Sequence, residues 1–287
     1  MPRAVQIFEP RQPLSGVVFG SPHSGRHYPA DLLSGSGLDP LALRSSEDAY
    51  VDLLLAAAPG LGMPLITTEV PRAYVDFNRA ETELDPALIV GAPRAVANPR
   101  ISSGLGVIAR VVAGGRPIYR GRLSLAEAER RIARYWRPYH MALASLLARQ
   151  QGRFGQAILC DVHSMPSEAA PGGLLRNIRR PEVILGDRYG HSCSPALMAE
   201  IEAVWRRAGF RVARNAPFAG AYILQRHGRP AQGFHAIQIE IDRALYLDQN
   251  RVEPGPHFKS FAETMAGIMA EIAEIGRAAD RASLAAE

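Results

Sequence analysis

The chain reads as a single α/β domain, with a mostly parallel or mixed central sheet flanked by helices. Three observations predict it. Short apolar runs alternate along the 287 residues with amphipathic, helix-forming stretches. Hydrophobic residues make up 47% and charged residues 21%, an ordinary globular balance in a chain long enough to bury a large core. No period of 20–50 residues repeats and no low-complexity tract separates two halves, so residues 1–287 are taken as one unit.

The elements follow in order. Gly16 to Gly20 is a buried strand that runs into the loop Ser21-Pro22-His23-Ser24-Gly25. Glu47 to Ala58 has helical spacing, with Ser45 or Ser46 before it and two acids in its first turn. Pro64 to Val70 and Tyr74 to Phe77 are strand-like. Residues 85–123 are rich in Gly, Pro and Arg, an excursion long enough to serve as a lid, with a β element at Val107 to Val112. Ser124-Leu125-Ala126-Glu127 is a capping box that opens a helix to about Gln151, which Pro138 should kink or split. Ala157 to His163, Val183 to Gly186, Arg211 to Arg214 and Ala236 to Ile241 are further strands. Ser194-Pro195 opens a helix to about Arg207, and Phe258 to Ala279 closes the chain as an amphipathic helix.

Several function classes are disfavoured at once. No apolar run approaches the roughly 18 residues of a membrane span, and Met1 to Gln6 shows no secretory h-region. Two cysteines, Cys160 and Cys193, make neither a disulfide framework nor a cysteine-only zinc site, which suits a reducing, cytoplasmic setting. The net charge is +5, yet Lys259 is the only lysine and no basic block is dense enough to track phosphates. A small anionic substrate is the expected partner, with no nucleic acid and no membrane.

Two histidines carry the strongest chemical signal. His23 and His163 each follow an apolar strand, and open α/β sheets bind ligands outside the carboxyl ends of their strands. Imidazole and carboxylate suit zinc, whose catalytic sites keep one position open. Glu47 or Asp48 could complete such a site. The strand Ala236 to Asp242 alternates strictly, with Gln238, Glu240 and Asp242 on one face, which makes Glu240 a candidate general base. Arg72, Asn78 and Arg79 cluster in Val70-Pro71-Arg72-Ala73-Tyr74-Val75-Asp76-Phe77-Asn78-Arg79. Arginine forks bind carboxylates, and Arg72 could steady an oxyanion.

Six motifs occur in order between Ser21 and Tyr246. They are Ser21 to Gly25, Glu47 to Asp52, Arg72 with Asp76 to Arg79, Asp161 to Met165, Asn215 to Gly220, and Gln238 to Tyr246. The series resembles the N-formylglutamate amidohydrolase (deformylase) family, relatives of the zinc carboxypeptidases and aspartoacylases. The resemblance implies a carboxypeptidase-like fold and a zinc-dependent hydrolase with one ion per chain. It implies His23, Asp48 and His163 as metal ligands, Glu240 as the catalytic glutamate, and Asn78 with Arg79 on a substrate carboxylate. Arg243 is the candidate for a second carboxylate. The chain departs from the wider peptidase pattern at Arg26, where an acid would stand. It departs from the family's Tyr-x-Gly-Gly at Phe218-Ala219-Gly220-Ala221.

The expected activity is hydrolysis of an N-acyl acidic amino acid, with formyl the expected acyl group and N-formyl-L-glutamate the expected substrate, as the resemblance implies for histidine catabolism. A zinc carboxypeptidase acting on peptides, or a non-catalytic protein that binds an acidic metabolite, are the alternatives.

Overall fold

Seven short strands carry the sheet that the alternation predicts. In this computed structural model, residues 2–93, 98–169 and 180–284 are described, without the side chains of 278–284. The first strands are β1 (Gln6–Phe8), β2 (Val17–Ser21) and β3 (Leu65–Thr67). Two short strands, β4 (Ile89–Val90) and β5 (Leu123–Ser124), pair with each other in a separate two-stranded ladder. The chain returns to the sheet as β6 (Ala157–Met165), β7 (Val183–Gly186), β8 (Val212–Arg214) and β9 (Phe234–Asp242). The order is β1-β3-β2-β6-β9-β7-β8. β2, β6 and β9 run parallel while β7 opposes β9, so the sheet is mixed.

Contacts divide the chain into two compact units. One comprises Ile7–Ser21, Tyr50–Ile66 and Leu143–Glu287. It holds most of the sheet, and every residue of β2 and β6 is buried. Ser194 accepts a hydrogen bond from the Leu197 amide and starts the helix Pro195–Arg207 where the capping pattern places it. The long helix Phe258–Leu284 packs on Pro195–Arg207 through a chain of rings, Trp205 with Phe210 at 5.6 Å and Phe210 with Phe261 at 5.9 Å. Gly276 lets this helix pass close to the sheet, since a Cβ there would lie 2.1 Å from Ser15 Oγ.

The second unit comprises Met1–Gln6, Pro22–Ala49 and Thr67–Ala142. Its core gathers Val70, Tyr74, Val75, Phe77, Val107, Ile108, Ile118 and Trp136, all buried. Regular structure is scarce in it, and three expectations fail here. Tyr74 to Phe77 is not a strand: the Tyr74 and Val75 amides both donate to Pro71 O, which coils the segment into a turn. Val107 to Val112 forms no strand beyond an isolated bridge from Val111 to Pro117. The strand expected over Pro64 to Val70 stops at Thr67, where the Thr68 hydroxyl takes the Val70 amide.

A fourth expectation is corrected at residues 47–58. Only Val51–Leu54 is α-helical, followed by a 3-10 turn at Ala58–Leu61. Tyr50 takes a left-handed φ of 62°, and the Asp48 amide donates to His23 O at 3.0 Å rather than into a helix. Glu47 and Asp48 therefore lie in a loop, where no helix dipole accounts for them. The helix from Leu125 is split as expected: a π turn, Ile132–Trp136, separates Leu125–Arg131 from Arg137–Phe154, immediately before Pro138. Within the 85–123 excursion, residues 94–97 lie outside the described residues. No helix among the described residues is long and apolar enough to cross a membrane.

Candidate active site

The centre of the sheet is unusually polar on one face. Residues two apart on a strand share a face, which puts Asp161 and His163 together on β6 and Gln238 and Glu240 together on β9. The register pairs Asp161 with Gln238 and His163 with Glu240, so the four side chains form a block on adjacent strands. All four are buried. His163 Nε2 donates to Asp161 Oδ2 at 2.9 Å, and Gln238 Nε2 donates to Glu240 Oε1 at 2.7 Å. β9 lies between β6 and β7, so the polar face of its alternation is interior. Ile184 of β7 pairs with Glu240, and Ile184, Met165 and Phe218 pack together as an apolar border to the block.

His23 is delivered by β2, which runs beside β6 with Gly20 opposite Asp161 and ends at Ser21, two residues before the histidine. Its loop turns tightly because residue 25 is glycine: a Cβ there would stand 2.1 Å from Val70 O. His23 is 1% exposed and lies between two carboxylates. Its Nδ1 is 3.2 Å from Asp48 Oδ2, and its Nε2 donates to Asp76 Oδ1 at 2.8 Å. Ser24 Oγ donates to Asp48 O, which ties the two loops further. Burial pushes the Asp76 carboxyl up, but Arg72, His23 and Arg79 together outweigh it and hold it well below the usual carboxylate range.

Glu47 turns elsewhere. It accepts from Tyr28 Oη at 2.6 Å and from Arg44 through both carboxylate oxygens, and its burial raises its pKa. Asp48, not Glu47, is the acid beside His23.

Asp76, Asn78 and Arg79 form one braced segment. Arg72 Nε donates to Asp76 Oδ2 at 3.1 Å, and the Asn78 amide donates to Asp76 Oδ1 at 2.8 Å. Arg79 is buried, donating through Nε to Leu105 O and through Nη1 to Asn78 O. Leu105 belongs to the 85–123 excursion, so part of that segment supports the arginine.

Ligand atoms of His23, Asp48 and His163 lie within 4.8 Å of one another, and all three residues are buried. Two imidazoles and one carboxylate form the donor set of a catalytic zinc site with one open position. A tetrahedral site with bonds near 2.1 Å has edges of about 3.4 Å, close to the 3.2 Å from His23 Nδ1 to Asp48 Oδ2. Each histidine also gives its Nε2 to a buried aspartate, the outer partner that metal-bound histidines require. The residues fit a divalent ion.

A sequence model of the N-formylglutamate amidohydrolase family matches residues 15–247. The chain belongs to that family. It is 30% identical to the N-formylglutamate deformylase of Pseudomonas aeruginosa over 262 residues, 90% of this chain and 91% of that one. With the N-formylglutamate deformylase of Pseudomonas putida it shares 26% identity over 95% of each chain. The crystal structure of N-formylglutamate amidohydrolase from Ralstonia eutropha superposes with a TM-score of 0.88 at 36% identity, covering 95% of this chain and 98% of that one. A gene product of Agrobacterium tumefaciens, 17% identical, shares the fold at a TM-score of 0.64 over 97% and 96% of the two chains.

The structure brings several of the residues expected from the sequence together. His23, Asp48 and His163 come together, and Glu240 lies in register beside His163. Arg72, Asn78 and Arg79 meet at Asp76. Arg243 is placed differently: its Nε donates to Ser164 Oγ at 3.1 Å, and Ser164 alternates to the face opposite His163. Two residues in the motifs carry contacts that the motifs alone do not assign, Asp161 and Asp76. Strand periodicity points to Asp161, two positions from His163. Nothing periodic points to Asp76, which reaches His23 from a turn.

Proposed function

We propose that the chain is a metal-dependent amidohydrolase that converts N-formyl-L-glutamate and water to L-glutamate and formate. The observation that carries this reading is the buried His23, Asp48 and His163 cluster, with an aspartate behind each histidine. The deformylase names of its relatives supply the substrate. His23, Asp48 and His163 would hold one zinc or other divalent ion per chain. Such an ion supplies Lewis acidity, polarising the acyl carbonyl and lowering the pKa of water toward ~7.

Glu240 acts as general base. Its carboxylate, oriented by Gln238, takes a proton from the water that attacks the formyl carbon. It passes that proton to the amine nitrogen as the C–N bond breaks, which balances the reaction. Arg72, already held in place by Asp76, steadies the oxyanion. Asn78 and Arg79 bind the α-carboxylate, and Arg243 is assigned the side-chain carboxylate.

A hydrolysis screen of N-formyl and N-acetyl amino acids tests the reading, run with zinc added and after chelation. N-formyl-L-glutamate should turn over, stop with chelator and resume with metal. Undiminished turnover in protein shown by elemental analysis to be metal-free overturns the metal reading. Cleavage of peptides without cleavage of N-formyl amino acids makes the chain a peptidase, and binding without turnover a binding protein.

A further inference from the structure

The π turn in the helix from Leu125 ends on Trp136, and His140 follows one turn later on the same face. Both residues are 1% exposed, and their rings are in tilted contact, centroids 4.1 Å apart and planes at 43°. Each donates to a backbone carbonyl of the same short segment. Trp136 Nε1 donates to Arg79 O at 2.9 Å, and His140 Nε2 donates to Phe77 O at 2.9 Å. The two carbonyls flank Asn78. Tyr139, on the same helix, packs on Phe77 at 4.7 Å.

The rest of the segment is equally committed. The Asp76 amide donates to Val107 O, the Asn78 amide to Asp76 Oδ1, and Arg79 Nη1 to Asn78 O. The helix supplies a donor for each of the carbonyls of Phe77 and Arg79. A helix without the widened turn would rotate residues 136 and 140 by about 100° for each residue of register lost, aiming both donors away.

We propose that Trp136 and His140 are positioning residues for the substrate-carboxylate pair. Presented by the π turn, they fix where Asn78 and Arg79 stand, and thereby how far the bound carboxylate lies from the reacting amide. The proposal rests on the reading that Asn78 and Arg79 hold the α-carboxylate. It goes beyond that reading in naming what sets substrate length and charge preference. Neither residue touches substrate.

The test compares steady-state kinetics on N-formyl-L-glutamate and on its α-amide in the zinc-loaded enzyme. Trp136→Phe keeps an aromatic side chain and removes the N–H; His140→Leu removes the second donor, and His140→Gln keeps one. Each loss should raise KM for the free acid about tenfold, the equivalent of one hydrogen bond. Bound metal, kcat and KM for the amide should hold. His140→Gln should restore the free-acid KM. A fall in melting temperature with the free-acid KM unchanged overturns the proposal and leaves the two residues a structural role. Arg79→Gln separates the two failures. If that variant leaves the free-acid to amide ratio unchanged, the carboxylate reading is itself wrong and the positioning role falls with it. If the ratio collapses while Trp136→Phe and His140→Leu behave as wild type, only the positioning role is lost.

Discussion

His163 and Glu240 are register partners on adjacent parallel strands, β6 and β9, at the centre of the sheet. Their side chains share a face, and each is oriented by the residue two positions before it, Asp161 for the histidine and Gln238 for the glutamate. A proposed ligand and a proposed base are thus set at one strand spacing by backbone ladder bonds.

That pairing separates the two roles experimentally. Glu240→Gln preserves shape and the partnership with Gln238 while removing the base. Metal content should stay at one ion per chain and kcat should fall by roughly 10²–10⁴. Elemental analysis showing the ion gone would make Glu240 a ligand instead.

Asp161 and Asp76 should act on the ion without touching it. Each accepts from the Nε2 of a histidine and so fixes ring orientation and tautomer. Asp161→Asn and Asp76→Asn should each weaken zinc affinity by about 10–100-fold in a competition titration against a chromophoric chelator. Glu47→Gln, which alters a side chain engaged with Tyr28 and Arg44, should leave that affinity within a few-fold of wild type.

An ion bound by the native state alone also stabilises it. Added zinc should raise the melting temperature, and chelation should lower it, by mass action. In His163→Ala the shift should vanish along with activity. A zinc-dependent rise that survives in His163→Ala would place the stabilising ion at another site.

Much of the sheet was legible because burial and periodicity coincide there. β2, β6 and β7 read as apolar runs and β9 as a strict alternation, and the Ser194-Pro195 cap marked the start of its helix. The unit holding Thr67–Ala142 was far less legible. Val107 and Ile108 look like strand residues because they are fully buried, yet their segment is held by single bonds such as Asp76 N to Val107 O and Val107 N to Glu83 O. Helical spacing after Glu47 likewise lost to the left-handed Tyr50 and the Asp48 to His23 backbone bond. The site divides the same way. His23 and His163 stood out at strand ends, while Asp76, Trp136 and His140 act across 53 to 63 positions of irregular chain.

Substrate charge gives the sharpest test of the carboxylate-binding residues. Arg79 is buried and gives two of its donors to backbone carbonyls, so its orientation is set before substrate arrives. A charge-assisted contact from a fixed, sheltered guanidinium is worth more than an exposed ion pair. Amidating the α-carboxylate of N-formyl-L-glutamate should therefore cost at least about 2 kcal/mol, roughly 30-fold in kcat/KM. Replacing glutamate by glutamine in the substrate tests the second carboxylate separately. Arg243→Ala should erase that second preference if Arg243 reaches it from its place on Ser164. An undiminished preference in Arg243→Ala would move the role to another cation. Equal kcat/KM for the amidated and free acids would remove Asn78 and Arg79 from substrate binding while leaving the His23, Asp48 and His163 chemistry intact.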